Sequence, residues 1–382
     1  MDIYIVKQGD SVDRIAAATG VSAEQIIRQN QLVYPYELAV GQALFIEKST
    51  NITDREQKTC LVAAGYAYPF ISRWVLQQTL PFLSELLIFS YGFDTEGNLL
   101  PPALDDTWMI ELAKIYQVKA VLTLTPLGRD GEFNNYLIQA VVNHKTAAQN
   151  LRSQLLAVMA EKGYRGLDID FEYIKAEDRD GFTAFVAEAT ERMNALGYQV
   201  SVALAPKTSA NQPGLLYEGK DYRALGEAAN HVLLMTYEWG YKYGPNMAVA
   251  PLNMVRRVLD YAVTEIPPEK IMLGIPNYGY DWPLPFEQGV TEAVTIGNVE
   301  AVQIAIRNGA EIQFDPVAAS PYFRYWTEGT EHEVWFEDVR SLREKFALVM
   351  EYGLRGCGYW QIMRLFRANW LLLSDTFWIQ KR

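Results

Sequence analysis

Three carboxylates alternate with apolar residues in the stretch Gly166 to Tyr173, which reads Gly-Leu-Asp-Ile-Asp-Phe-Glu-Tyr. Successive side chains of a β-strand point to opposite faces, so Asp168, Asp170 and Glu172 would share one face. Neighbouring carboxylates on that face would lie about 6 to 7 Å apart. Burial and mutual repulsion would raise their pKa values, as acid–base chemistry requires. The spacing predicts a catalytic site.

Short apolar runs that alternate with helical patterns surround this stretch. Eight strands are predicted: Cys60 to Tyr66, Leu86 to Tyr91, Ala120 to Thr125, Gly166 to Phe171, Val200 to Ala205, Val232 to Tyr237, Ile271 to Pro276 and Gly356 to Trp360. Most intervals have room for one crossover helix, which predicts an α/β fold, a (β/α)8 or TIM barrel. Active sites of such barrels lie at the C-terminal strand ends, where Glu172 would act as general acid.

Two segments fall outside the barrel repeat. The long interval between the seventh and eighth strands predicts a small inserted α+β subdomain at about residues 281–335. Residues 1–48 predict a strand, two helices and a strand, with Ser11 capping a helix over Val12 to Thr19 and Gly20 ending it. Residues 49–58 are polar and predict a linker, which leaves residues 59–382 for the barrel.

Composition excludes several classes of partner. The 382 residues carry a net charge of −12, which argues against nucleic acid and against anionic membranes. We expect no membrane span, because no apolar stretch reaches about 18 residues, and no secretory signal peptide, because the first thirty residues lack a charged start followed by an apolar core. Two cysteines and three scattered histidines predict no metal site and favour free thiols. Cys60 and Cys357 lie in the first and last strands, neighbours in a closed barrel, so a disulfide between them stays an open alternative. The 23 tyrosines and 9 tryptophans suit a sugar-binding groove.

The N-terminal module resembles a LysM domain. The resemblance rests on Tyr4-Ile5-Val6-Lys7-Gln8-Gly9-Asp10-Ser11, on Ile15-Ala16, on Asn30 and on Val40-Gly41-Gln42-Ala43-Leu44-Phe45-Ile46. LysM domains bind peptidoglycan and chitin, two glycans that contain N-acetylglucosamine, beside the loops after the first strand and the second helix. The resemblance implies glycan contacts from Gly9, Asp10, Ser11, Asn30 and Tyr34.

The carboxylate stretch resembles the DxxDxDxE signature of family 18 glycoside hydrolases. These (β/α)8 barrels cleave β-1,4 bonds that follow N-acetylglucosamine, with the acetamido oxygen of the substrate as nucleophile. The resemblance implies that Glu172 protonates the leaving oxygen and then activates water. Asp170 would orient the acetamido N–H and stabilise the oxazolinium-like intermediate, and Asp168 would share a proton with Asp170. The configuration at the cleaved carbon would be retained.

Three later strand ends also resemble motifs of this family. Met235-Thr236-Tyr237-Glu238 is similar to the MxYD motif. By that resemblance Tyr237 would hold the acetamido carbonyl, Met235 would line the same pocket, and Glu238 stands where the family has Asp. Tyr278 in the seventh-strand motif would lie near the site, and Trp360 of the closing strand would form an apolar floor under the sugar.

Two positions depart from the family pattern. Arg165 occupies the first Asp of the signature, and the Ser-Gly-Gly motif of the third strand is absent from residues 122–126. The second departure weakens the case for chitin as substrate. A LysM domain joined directly to such a barrel resembles the cortical peptidoglycan N-acetylglucosaminidases of endospore-forming bacteria.

The function predicted from the sequence is therefore retaining β-N-acetylglucosaminidase activity on peptidoglycan, either spore cortex or its fragments. The protein would be made in the cytoplasm and lie in the coat and cortex region of the spore. Two alternatives stay open: a chitinase or chito-oligosaccharide hydrolase, and a non-catalytic glycan-binding coat protein, against which Glu172 argues. No cofactor is expected, because acid–base chemistry suffices.

Overall fold

A computed structural model describes residues 2–47 and 58–381 of the chain. The N-terminal module consists of β1 (Asp2–Ile5), α1 (Val12–Thr19), α2 (Ala23–Asn30) and β2 (Ala43–Ile46), and the two strands pair antiparallel. The predicted first helix is confirmed: the Ser11 hydroxyl accepts the Arg14 N–H at 3.3 Å, and Gly20 ends the helix at φ +74°. Apart from Lys58, the predicted linker at 49–58 lies outside the described residues.

The remaining elements follow in chain order. Up to the seventh barrel strand they are β3 (Cys60–Ala67), α3 (Arg73–Thr79), β4 (Glu85–Phe93), β5 (Leu99–Leu100), α4 (Thr107–Ile115), β6 (Lys119–Leu124), α5 (Asn135–Asn143), α6 (Lys145–Lys162), β7 (Gly166–Ile169), α7 (Arg179–Asn194), β8 (Gln199–Leu204), α8 (Tyr222–Ala228), β9 (His231–Leu234), α9 (Leu252–Glu265) and β10 (Ile271–Pro276). An insertion follows with β11 (Gly279–Leu284), β12 (Val294–Ile296), α10 (Asn298–Arg307), β13 (Gln313–Asp315), β14 (Ser320–Thr327) and β15 (Thr330–Trp335). The chain ends with α11 (Val339–Glu351), β16 (Gly356–Trp360), α12 (Arg367–Thr376) and β17 (Trp378–Ile379).

Eight parallel strands close into a barrel. Their order is β3-β4-β6-β7-β8-β9-β10-β16, and β3 pairs with both β4 and β16, which completes the ring. The insertion forms a five-stranded antiparallel sheet in the order β12-β11-β15-β14-β13, with α10 packed on it. The fold class predicted from the sequence is thus confirmed: a (β/α)8 barrel with a small α+β insertion between its last two strands, preceded by a βααβ module.

Side-chain alternation separates the inside of the barrel from its outside. Leu167, Ile169 and Phe171 point outward into the large core shared with the helices. A smaller interior cluster includes Val121 and Leu233. The predicted fourth strand extends to Phe171, whereas β7 ends at Ile169, because the chain leaves the sheet after the Asp170 N–H bonds to the Leu124 carbonyl at 2.9 Å.

Both cysteines are free thiols, as predicted. Cys357 is the register partner of Ala63, three residues beyond Cys60. Three residues of strand span about 10 Å, which is too far for a disulfide. Among the helices of residues 2–47 and 58–381, none combines the length and the apolar character that a bilayer span needs.

The N-terminal module is docked on the barrel through Gln31. Its side-chain amide nitrogen donates to the Leu365 carbonyl at 3.2 Å, and its amide oxygen accepts the Arg367 N–H at 2.6 Å. One amide group therefore bonds a backbone acceptor and a backbone donor at the start of α12. The end of α2 is held next to the loop that follows Trp360.

A second contact joins the module to the insertion. The Ile312 N–H donates to the Val40 carbonyl at 2.8 Å, and Arg340 of α11 donates to the Gly41 carbonyl at 3.2 Å. Gly41 has φ +82°, and a Cβ at this position would lie 1.8 Å from the Ile312 carbonyl oxygen. The close approach of the two backbones therefore requires glycine.

We expect Gly41→Ala to destabilise the docked module more than Gly20→Ala does. Both glycines have left-handed φ, which costs an alanine about 1 to 2 kcal/mol. A Cβ at Gly20 would meet nothing within 4 Å, so only Gly41→Ala also pushes the module away from the insertion, at about 1 to 3 kcal/mol more. Urea unfolding of the full chain measures the difference. Equal losses for the two variants would contradict the docking contact.

Candidate active site

A cleft of about 610 Å³ opens at the C-terminal ends of the barrel strands. This size is typical of a small-molecule site, and the position is typical of barrel enzymes. Six of the residues predicted from the sequence line it: Asp170, Glu172, Met235, Tyr237, Glu238 and Trp360. The structure thus brings together side chains from three separate strand ends.

Asp168 lies below the cleft and is fully buried. Its carboxylate accepts hydrogen bonds from the Tyr66 hydroxyl at 2.9 Å and from the Ser201 hydroxyl at 2.6 Å. Burial raises the pKa of Asp168 to about 6, although these two hydrogen bonds favour the ionised form. Asp168 is therefore held in one orientation with its charge poorly solvated.

Asp170 lies between Asp168 and Glu172 along the chain and is 9% exposed. Its Oδ1 atom is buried and has no hydrogen-bond partner among the described residues. Burial raises the pKa of Asp170 well above its usual range, and the negative charges of Glu172 and Asp168 raise it further. Asp170 also lines the cleft, so an unpaired acceptor stands at the cleft wall.

Glu172 is partly exposed to the cleft, beyond the end of β7. The preceding residue, Phe171, is buried on the outside of the barrel, with its ring 5.4 Å from Phe93 and 5.8 Å from Phe185. The following residue, Tyr173, has φ +52°, so the chain turns away after the carboxylate. Anchoring on one side and a turn on the other present Glu172 to the cleft.

Tyr237 and Glu238 follow the end of β9. Burial raises the pKa of Tyr237 well above its usual range, and the charge of Asp170 adds to this, so its hydroxyl stays a hydrogen-bond donor. Glu238 accepts hydrogen bonds from the hydroxyls of Tyr278 and Tyr280, the latter at 3.0 Å. Tyr278, predicted as a substrate contact, is 3% exposed and does not line the cleft. It positions Glu238 instead.

Aromatic rings form one wall of the cleft around Trp360. The ring centroid of Trp360 lies 5.0 Å from Phe89, 5.5 Å from Tyr66 and 6.1 Å from Tyr68. Such edge-to-face packing fixes the indole ring and leaves an apolar surface next to Asp170. A flat apolar surface beside polar groups is suited to one face of a sugar ring.

The third barrel strand has a hydroxyl beside Asp168, but Asp168 takes its hydrogen bond from another strand. Thr123 of β6 is buried, but its hydroxyl has no hydrogen-bond partner among the described residues. Ser201 of β8, on the other side of β7, is the register partner of Asp168 and bonds it instead. The alternation of Ser201 with Val200 and Val202 was the signal in the sequence that could have revealed it. Arg165 is exposed ahead of β7.

Lys220 is a further residue that the sequence reasoning missed. It is fully buried in the loop between β8 and α8, and its charge acts on Asp170, Glu172 and Asp168. No motif marks this lysine in the sequence. Among residues 2–47 and 58–381, no group of three or more His, Cys, Asp or Glu side chains is arranged to hold a metal ion.

In the module, the first loop is stabilised by its own polar residues. Asp10 accepts the Tyr4 hydroxyl at 2.9 Å, and the Gly9 carbonyl accepts a hydrogen bond from Arg14 at 2.5 Å. Ser11 caps α1. The polar side chains predicted to bind glycan in this loop therefore also hold the loop itself in shape.

The second region predicted to contact glycan contains Asn30, which is hydrogen-bonded inside the module, and Tyr34, which is exposed. The side-chain Oδ1 of Asn30 accepts the Phe45 N–H at 2.7 Å, and its side-chain Nδ2 donates to the Phe45 backbone carbonyl at 2.9 Å. Tyr34 is 80% exposed, and its ring meets Tyr36 edge to face at 5.7 Å. Asn30 joins α2 to β2, whereas Tyr34 is available to a ligand.

Comparison with known proteins relates the whole chain to one group. The family model of glycosyl hydrolases family 18 matches residues 109–364, and that of the LysM domain matches residues 4–47. The chain is 38% identical to the cortical fragment-lytic enzyme of Bacillus subtilis strain 168, with 100% of this chain and 99% of that protein covered.

Two solved structures resemble the whole chain. The spore cortex-lytic enzyme SleL of Bacillus megaterium QM B1551 superposes with a TM-score of 0.92 at 34% identity. SleL of Bacillus cereus superposes with a TM-score of 0.92 at 31% identity. Each comparison covers 100% of this chain and 99% of the other.

Proposed function

Since this chain belongs to glycosyl hydrolases family 18 and begins with a LysM domain, we propose that it is a retaining β-N-acetylglucosaminidase acting on peptidoglycan of the spore cortex or its fragments. The observation that carries the chemistry is the unpartnered, buried Oδ1 atom of Asp170 in the same cleft as Glu172 and Tyr237. An acetamido group on a substrate would supply both partners: its N–H can donate to the Asp170 oxygen, and its carbonyl oxygen can accept from the Tyr237 hydroxyl.

In the first step Glu172 donates its proton to the glycosidic oxygen as the bond to the anomeric carbon breaks. The acetamido carbonyl oxygen of the same sugar attacks that carbon from the opposite face and forms a cyclic oxazolinium ion. Asp170 accepts the acetamido N–H and opposes the positive charge, while the Tyr237 hydroxyl donates to the acetamido oxygen. Trp360 supports the apolar face of the sugar.

In the second step the glutamate, now ionised, removes a proton from water, and the water oxygen attacks the anomeric carbon. The ring of the intermediate opens, the acetamido group is restored, and Glu172 regains its proton. Two inversions at one carbon give net retention. The residues of the chain supply all of the proton transfers, so the proposal requires no cofactor.

The names of the relatives support the proposed substrate and location. The cortical fragment-lytic enzyme of Bacillus subtilis and the two SleL structures carry names that refer to spore cortex, and each matches the full chain. We extend this to cortical peptidoglycan as substrate and to the coat and cortex region of the spore as location. The LysM domain would bind the same glycan, with exposed Tyr34 as the first residue to test.

The proposal is tested by mass spectrometry of the products that wild type and Glu172→Gln form from spore-cortex muropeptides and from chitohexaose. We expect wild type alone to cut the muropeptides after N-acetylglucosamine and to leave most of the chitohexaose intact. Proton NMR of the first product should show the β-anomer, which establishes retention.

Two other outcomes would replace the proposal. Faster cleavage of chitohexaose would make the protein a chitinase-type enzyme with a LysM anchor. Binding of both glycans without cleavage of either would make it a glycan-binding coat protein.

A further inference from the structure

The side chain of Lys220 reaches into the barrel next to Asp170. Its Nζ donates to the Ala203 carbonyl at 3.0 Å, and the residue is 0% exposed. The register of β7 and β8 pairs Ile169 with Val202, so the residues that follow them, Asp170 and Ala203, lie side by side. The ammonium group is therefore buried at the depth of the middle carboxylate.

The backbone around Lys220 is fixed from two directions. A Cβ at Gly219 would lie 2.3 Å from the Ile174 carbonyl oxygen, so the loop packs directly on the chain that follows Glu172. The Lys220 carbonyl accepts a hydrogen bond at 2.8 Å from Lys207, itself only 3% exposed. Such close packing leaves Lys220 little freedom to withdraw from the carboxylates.

Burying an ammonium group is costly unless opposite charge compensates for it. Burial lowers the pKa of Lys220, and the charges of Asp170, Glu172 and Asp168 act in the other direction. The effect is mutual. Burial raises the pKa of both aspartates, and the ammonium group of Lys220 lowers it.

Other groups also face this cluster from the surrounding elements. They are Tyr66 of β3, Glu85 of β4, and Tyr237 and Glu238 after β9. Glu85 acts against ionisation of Asp168, and the tyrosines carry no charge. The charge of Lys207, after β8, interacts with those of Asp221, Arg179 and Glu265.

We propose that Lys220 is an electrostatic positioning residue that keeps one negative charge on the Asp168–Asp170 pair. With a sugar in the cleft, Asp170 can then accept the acetamido N–H and oppose the charge of the oxazolinium ion. Without the ammonium group, both aspartates would be protonated over a wider pH range, and Asp170 would face the intermediate as a neutral acid. This inference rests on the proposed function, because it concerns the intermediate of that reaction.

The test is the pH profile of kcat/KM for wild type, Lys220→Met and Lys220→Arg, on the substrate that wild type cleaves. Removal of the positive charge raises the pKa of the aspartates, so the acid limb of Lys220→Met should move about 1 pH unit higher. At a given pH below both limbs, Lys220→Met should therefore have a kcat/KM about tenfold lower than that of wild type. Lys220→Arg, which keeps the charge, should restore the position of the limb.

Lys381→Met is the matched control, because this lysine, like Lys220, donates to a backbone carbonyl, that of Leu80 at 2.9 Å, and burial alone lowers its pKa to about 8. Its acid limb should stay at the wild-type pH even if its turnover falls. Circular dichroism establishes that each variant is folded. If Lys220→Met fails that check, Lys220→Gln, which keeps a donor for the Ala203 carbonyl, carries the same measurement.

A folded Lys220→Met enzyme whose acid limb is unmoved would overturn the proposal, whether its turnover is normal or reduced. If wild type cleaves neither glycan, the proposed function fails. The charge effect is then tested by infrared titration of carbon-13-labelled aspartate in wild type and Lys220→Met. A carboxyl titration at the same pH in both proteins would then refute it.

Discussion

Glu172→Gln is expected to lower kcat about 10²- to 10⁴-fold, because an amide has the shape of the carboxyl group but cannot transfer its proton. Glu172 borders the cleft and makes no hydrogen bond that holds the fold together in the described contacts, so folding and glycan binding should persist. Steady-state kinetics give the loss in kcat. Equilibrium binding of the uncleaved glycan gives the affinity.

Glu238→Gln is the matched control, since Glu238 is a second glutamate in the same cleft. Its amide oxygen can still accept the hydroxyls of Tyr278 and Tyr280, so we expect a loss of about tenfold or less. Equal losses in the two variants would mean that charge in the cleft, and not proton transfer by Glu172, limits the reaction.

Asp170→Asn should lower kcat about 10²- to 10³-fold, which is typical of removing one preorganised group that stabilises developing charge. The buried Oδ1 atom would become part of a neutral amide that cannot oppose the positive charge of the intermediate. The loss should fall on kcat more than on KM, because the charge develops after substrate binds.

Thr123→Val controls for disturbance of the barrel interior. Thr123 is the register partner of Asp168, and its hydroxyl has no described hydrogen-bond partner, so a valine of the same shape should leave kcat near the wild-type value. If Asp170→Asn were as active as Thr123→Val, Asp170 would not stabilise the intermediate.

The barrel and the carboxylates of its cleft could be predicted because their signals are local. Alternation in Gly166 to Tyr173 fixes which side chains point inward, and strand-helix spacing fixes which end of the barrel holds Glu172. The aromatic wall was predicted only at Trp360. Its other rings, among them Tyr66 and Phe89, come from strands far away in the sequence.

The residues that were missed depend on contacts between distant segments. Ser201 reaches Asp168 from the neighbouring strand, and Lys220 reaches the carboxylates through a loop without regular structure. Tyr278 was placed near the site, but its hydroxyl donates to Glu238 and its ring does not line the cleft. Sequence spacing gives the depth of a residue along one strand and says little about its partners on the next.

Gln31 holds the LysM domain on the barrel and Gly41 brings it against the insertion, so the two proposed glycan sites, one in that domain and one in the cleft, would be presented at a fixed separation. When two sites are joined only by a flexible tether, the tether length sets the effective concentration of the second site. In this protein the interface between the LysM domain and the rest of the chain sets that effective concentration. A glycan strand long enough to reach both sites gains avidity, and a shorter one binds as if the second site were absent. The threshold in strand length is therefore a property of the fold.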